Sequence, residues 1–398
     1  MSELPSSGPI RKTDFAIRVV AARQVSAADI ENWAALEARA LEPNAYLSPY
    51  FVLPATRYLT PKSETLVLFI ERSRPMPREL VGVGVFDKSS PSLHFPVPRL
   101  VGYRSRHSFL GGLLLDRGCH DQALSALLQH MRAEMPWVQG LEFTDAWADG
   151  SLVQAAGTAA RGGAFRSVSR GAVPRAVLRP ANCPALLLDK ALTSRLRDLN
   201  RRRRRLEERG RVEWRWHRDD GVPDAAVEAF LTLEHMGWKG QGGSSLRSRP
   251  EDEAFFRELV QGFASERRAL FTVLTLGGQP IASCCTFISG RVGFGFKIGW
   301  DPEFRACAPA KLNELELMRQ AAVAFSDIDF FDSGANSDSY INELWLERKH
   351  LGSLSIPTHA VGAYALQLAE YARRIREFMR AAAAPAPAAA RVESEFAT

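Results

Sequence analysis

The chain is short of the features that mark most specialised protein classes. Its five cysteines, Cys119, Cys183, Cys284, Cys285 and Cys307, form no CxxC pair and no Cys–His cluster at zinc spacing. This argues against a disulfide framework or a metal site and predicts free, mostly buried thiols in a reducing compartment. No apolar run approaches the roughly twenty residues of a membrane span, and "MSELPSSGPIRKTDF" has no apolar signal core, so a cytoplasmic location is expected. GxSxG, HExxH and Walker lysine motifs are missing too. The glycines of "GVGVFD" and "GRVGFGF" belong to no strand–GxGxxG–helix unit, which argues against a dinucleotide fold.

What remains is an ordinary globular composition, 46% hydrophobic and 24% charged over 398 residues, long enough for two or three domains. The net charge of +6 is mild. It suits anionic partners, phosphorylated cofactors among them.

The grammar of the chain is that of two α/β halves. Residues 1–13 and 373–398, the latter including "AAAAPAPAAA", read as disordered because Ala/Pro repeats bury nothing. Residues 14–185 read as strand, helices, strands, helix, strand. Residues 186–372 read as helix, strand, two helices, a three-strand antiparallel meander turning at "GGQ" and "SGR", then helix, strand, short helix and strand. The shared order predicts a duplicated fold with mainly antiparallel mixed sheets flanked by helices. Two unrelated α/β domains are the alternative.

The most informative junction is "FKIGWDPEFRACAPAKLNELEL". A strand ends near Trp300 and a helix opens close to Pro309, where proline costs no hydrogen bond. The amides of Ala310, Lys311 and Leu312 then sit at the positive end of the helix dipole, a place suited to phosphate. Arg305 and Lys311 add charge, and Ala306, Ala308 and Ala310 leave room for an anion to approach the backbone.

Arg305-Ala306-Cys307-Ala308-Pro309-Ala310 resembles the pyrophosphate motif of the GNAT acyltransferase superfamily, Q/R-x-x-G-x-G/A, with Ala308 in place of the first glycine. Together with "RLRDLNRRRRRLEERG", "LEHMGWKGQGGSSL" and "DFFDSGANSDSYINELW", it resembles the double-GNAT acetyltransferases of bacterial cellulose and exopolysaccharide synthesis, which are related in fold to Fem-type aminoacyl transferases. The resemblance covers the layout of residues 14–372 and is motif-specific in the second half. It implies two GNAT-like domains, acetyl-CoA or another acyl-CoA as co-substrate, no metal, and an amine acceptor on a sugar or envelope precursor. A Fem-type transferase using aminoacyl-tRNA, or a non-catalytic accessory protein of polysaccharide synthesis, remain alternatives.

The run "NRRRRRLEERG" lies on an amphipathic helix with Leu192, Leu196, Leu199 and Leu206 along one face. A solvated face supported by pairs such as Arg203–Glu207 is one reading. Contact with an anionic substrate or acidic membrane is another, and tRNA binding a third. No helix-turn-helix, zinc finger or RNP signature accompanies the run.

Acyl transfer from a thioester to an amine needs a base for the amine proton, a donor for the carbonyl oxygen and an acid for the leaving thiolate. By position Tyr340 is the candidate acid, and Glu234 and Asp332 are candidate bases. Trp238, Lys239 and Lys297 are candidate substrate-binding residues. "GWKGQGG" reads as a lid, and Lys297 is a charge within an apolar strand. Each also has a plainer reading as a packing or solvated side chain.

Overall fold

A computed structural model describes residues 14–73, 78–91, 95–162 and 165–383. The expectations for residues 1–13 and for the tail beyond 383 lie outside the described residues. Thirteen strands are present among the described residues. They are β1 (Phe15–Ala21), β2 (Leu66–Arg72), β3 (Glu79–Ser89), β4 (Arg99–Gly102), β5 (Leu114–Leu115), β6 (Gly140–Trp147), β7 (Val168–Leu178), β8 (Val212–His217), β9 (Ala269–Leu276), β10 (Gln279–Ser289), β11 (Val292–Trp300), β12 (Phe330–Asp332) and β13 (Glu347–Pro357).

They form one mixed sheet in the order β1-β2-β3-β4-β6-β13-β7-β12-β11-β10-β9-β8, with β5 paired to β3. Read inward from either edge, the sheet shows the same pattern. Antiparallel strands lead to one parallel pair, β4 with β6 on one side and β11 with β12 on the other. Helices His120–Glu134 and Pro309–Ala324 make the two equivalent crossovers. This is the expected α/β architecture of two GNAT-like units.

The two units exchange strands. β7, from the end of the first half, pairs with β12 (Leu178↔Phe331), while β13, from the end of the second, pairs with β6 (Phe143↔Leu354). β7 and β13 also pair antiparallel with each other at the centre. β7 carries "RGAVPRAVL", an extended stretch at the end of the first half. Its pairing with a strand over 150 residues away is set by tertiary contacts that local pattern does not encode.

The meander β9–β10–β11 turns where expected. Gly277 and Gly278 both take positive φ (58° and 85°), the twist a two-residue hairpin needs. One core cluster spans both halves: Tyr46 and Phe51 of the first meet Phe294 and Phe255 of the second edge to face. All five cysteines are free. Among the described residues no helix is long and apolar enough to cross a membrane.

One boundary moves. The last helix runs Ala360–Ala383, past the expected start of the tail at residue 373. Arg373 bonds Glu377 one turn ahead (2.6 Å) and Glu370 one turn behind (3.0 Å), and alanine favours continuation.

Candidate active site

β11 and β12 pair only over Val292–Phe294 and Phe330–Asp332. Beyond Phe294 they diverge, so the edge of β11 from Gly295 onward has no strand neighbour on that side. The gap opens a cleft of about 420 Å³. Its walls include Gly295–Ile298, Cys284–Thr286, Glu314, Lys239 and the turn from Ser333 to Ile341. Phe109, from the first half, closes one side. A cleft between splayed parallel strands exposes backbone polar groups to a ligand while packed elements hold them rigid.

The crossover helix starts beside this cleft. Ala308 caps it with φ 51° and ψ 58°, the left-handed conformation that the glycine of the pyrophosphate motif would supply. Alanine therefore keeps the turn, at a strain of about 1–2 kcal/mol. Pro309 has no N–H, and the Leu312 amide bonds the Ala308 carbonyl at 3.1 Å. That corrects the expectation of three available amides: Ala310 and Lys311 alone have none of these backbone bonds. A second hollow of about 320 Å³ lies here, lined by Ala308, Lys311, Glu343 and, from the arginine helix, Arg195 and Arg202. Lys311 donates to Glu343 (2.6 Å). Arg305 is exposed on the loop and does not line the hollow, while Pro309 and Ala310 are buried.

The arginine helix spans Lys190–Glu207 and buries Leu192, Leu199 and Leu206. It packs across the loop before Pro309 rather than standing free. Arg202 donates to the Ala306 carbonyl (2.6 Å) and to Asp198 (2.6 Å). Arg203 bonds Glu207 (2.9 Å), the pair expected from spacing, and also meets Glu316 of the crossover helix.

Inside the cleft the candidate residues separate. Tyr340 lines it, and burial together with Glu314 and Cys284 nearby holds its phenol pKa well above the usual value. Lys297 and Lys239 also line it. Lys239 donates to the Ile298 carbonyl (2.8 Å). The Lys297 ammonium makes no hydrogen bond among the described residues; burial and then Lys239 lower its pKa, while Glu234 (3.9 Å) and Asp252 oppose that shift. Glu234 stands behind the two lysines, its side chain buried and accepting from the Leu246 amide (2.8 Å). Asp332 is fully buried, faces Arg175 (3.4 Å) and accepts from the Gly334 amide (3.1 Å). Neither carboxylate lines the cleft. The segment expected as a lid folds into a single turn, Trp238–Gln241, and the Ser244 and Ser245 amides bond the Lys239 carbonyl. The Trp238 side chain lies outside the described residues.

Sequence reasoning missed Glu314. It sits one turn into the crossover helix and lines the cleft, accepts from the Cys284 thiol (3.0 Å) through Oε1, and leaves Oε2 without a partner. Burial pushes its pKa from 4.5 to about 7. Below it, Asn313 links Trp214 (2.8 Å), Thr272 (2.9 Å) and Cys284 (3.2 Å) in a buried polar chain. "KLNELELM" gives no warning of this, because the Asn and Glu of a helix are ordinarily its solvated residues.

Residues 193–340 match the family described as the acetyltransferase (GNAT) domain. The second half of the chain thus carries an acyltransferase domain, and the cleft and the left-handed turn both lie within the matched span. No curated protein matches the sequence closely enough to count as a relative. Among solved structures, the chain is similar to a conserved protein of unknown function from Bacteroides thetaiotaomicron (12% identity, TM-score 0.55, covering 84% of this chain and 97% of that one). It is also similar to FemX (11% identity, TM-score 0.54, 82% and 95%). At such identities the likeness is one of fold, and it extends across both halves.

Proposed function

We propose that the protein is an acyl-CoA-dependent N-acyltransferase whose acceptor is an amine on a sugar or cell-envelope precursor. The observation that carries this reading is that one helix start lines two neighbouring hollows, Lys311 the one and Glu314 the other. The splayed cleft takes the thioester arm, and the adjoining helix start, with Ala308 left-handed and the Ala310 and Lys311 amides unpaired, takes the pyrophosphate. The acceptor class follows from the resemblance to exopolysaccharide-associated acetyltransferases. Phe109 and the ammonium of Lys297 line the same cleft, an apolar wall and an anion-seeking donor that an acceptor could use.

In the reaction the amine lone pair attacks the thioester carbonyl carbon and the carbon–sulfur bond breaks. The amine proton passes to a base and a proton reaches the thiolate, giving an amide and a free thiol. A phenol that keeps its proton at neutral pH suits Tyr340 to the second transfer. Glu314, titrating near 7 inside the cleft, fits the base better than Glu234 or Asp332, whose carboxylates face the protein's own lysines and Arg175. Lys297 Nζ is placed to meet a carbonyl oxygen or an anionic acceptor group.

Calorimetric titration with acetyl-CoA and a longer acyl-CoA tests the reading. Binding that weakens roughly tenfold in Lys311→Glu supports it, because the new carboxylate would oppose a phosphate. Absence of binding to either ligand by the wild-type chain would sink it. The arginine helix favours one second reading, a Fem-type transfer from aminoacyl-tRNA: Arg204 and Arg205 are exposed beside the helix end. Retention of tRNA that falls steeply with salt, without acyl-CoA binding, would select that reading.

A further inference from the structure

The terminal helix Ala360–Ala383 touches the body on one side only. Gly362, Ala365 and Leu366 are buried there, and Arg170 of β7 is ion-paired with Glu370. On its other side Val361, Tyr364, Leu368, Tyr371, Ile375 and Phe378 are 42–75% exposed, and Met379 extends the same surface. Their spacing alternates three and four residues through five intervals. At 100° per residue they fall within a stripe about 100° wide, opposite the buried face. Single exposed apolar residues are ordinary, but a continuous stripe of this length is not.

We propose that this stripe is the docking surface for the same helix of a second copy of the chain, joining two molecules through a two-stranded coiled coil. A period of 3.5 is the a/d seam of such a pair, with Val361, Leu368 and Ile375 at one position and Tyr364, Tyr371 and Phe378 at the other. The seam is self-complementary, as a two-fold interface requires. The body lies on the opposite face, which leaves the stripe open to a second copy. Seven side chains exposed to this degree offer on the order of 800 Å² per partner, the size of a stable interface. Charge disfavours a membrane as the occupant. Between Val361 and Met379 three arginines stand against two glutamates, and Arg373 already bonds both glutamates. A helix lying on an anionic bilayer presents a strongly basic polar face instead.

The test is sedimentation equilibrium of the full-length chain at micromolar concentration. The wild type should have twice the monomer mass. Leu368→Glu combined with Ile375→Glu should weaken association on the order of 100-fold or more, with the circular dichroism spectrum unchanged because both residues are exposed in the single chain. Val323→Glu, on a different exposed surface, should leave the mass doubled. Tyr371→Leu should tighten the dimer, since leucine packs well at that seam position. A monomeric wild type at high concentration would overturn the proposal, as would a dimer indifferent to the double substitution. So would a monomer that pellets with phosphatidylglycerol vesicles through Leu368 and Ile375.

Discussion

The two parallel strand pairs start from the same geometry and end in opposite states. In the second half the gap between β11 and β12 is an open cleft. In the first half the gap between β4 and β6 is occupied by the chain itself. The Gly111 amide bonds the Asp145 carbonyl (3.1 Å), so closely that a methyl at Gly111 would collide with the Thr144 carbonyl. Arg104 reaches Thr144 (3.2 Å) and ion-pairs with Asp145, and Leu110 is buried in the shared core. The helix starts differ as well. The second half has a left-handed Ala308 and no acidic residue in the first turn, while the first has Asp121 in that turn and Asp116 accepting from the Gly118 amide (2.8 Å). Carboxylates there repel a phosphate that the same dipole would otherwise attract. One unit leaves its gap open, and in the other the chain fills the gap with core. The difference leaves the strand order intact and lies in the loops and the charge of one helical turn.

The comparison can be broken first at Leu110. Leu110→Ala should destabilise the protein by about 2–5 kcal/mol in denaturant melts, because it hollows packed core. It should not create a second acyl-CoA site, so calorimetric stoichiometry stays at one per chain. Filling the open gap is the reverse experiment. Ala335→Trp, on the cleft wall, should lower acyl-CoA affinity on the order of 100-fold while leaving the circular dichroism spectrum unchanged.

Glu314 sharpens the contrast through pH. Its native pKa near 7 exceeds the ordinary 4.5, so the folded state holds a proton that the unfolded chain releases. Wild-type stability should therefore be greatest below about pH 4.5 with respect to this group, and should decline as pH rises to 7. Glu314→Gln abolishes that dependence. It should gain on the order of 2–3 kcal/mol relative to wild type between pH 5 and pH 8. A constant difference across that range would contradict the assignment. The smallest effect is expected at the turn: Ala308→Gly should stabilise by about 0.5–1 kcal/mol, the relief of left-handed strain less the entropy of glycine.

Much of this contrast was legible in the sequence, and the reasons differ by element. The meander, the crossover helices and the leucine face of the arginine helix follow from local period and turn chemistry. The turn into the crossover helix was visible in Arg305–Ala310, although the substitution at 308 left its conformation open, since only the surrounding packing holds an alanine at φ 51°. The place of Glu314 in the cleft was not visible. Glu234 and Asp332 draw attention through glycine-rich neighbours, yet their environments are made by Lys239, Lys297 and Arg175, which converge from distant segments. The arginine run was half read: spacing gave the Arg203–Glu207 pair, whereas the hold of Arg202 on the Ala306 carbonyl depends on tertiary packing.

The exchanged strands also set a clock on the ribosome. When β6 has emerged, the strand that covers its open edge, β13, lies some 200 residues downstream, which at 5–20 residues per second means on the order of ten to forty seconds of synthesis. Through that interval the first half presents an unpaired edge, the kind of surface that nascent-chain chaperones shield. Pulse-labelled chains should accordingly become protease-resistant in one late step, after residue 357 clears the exit tunnel, rather than half by half.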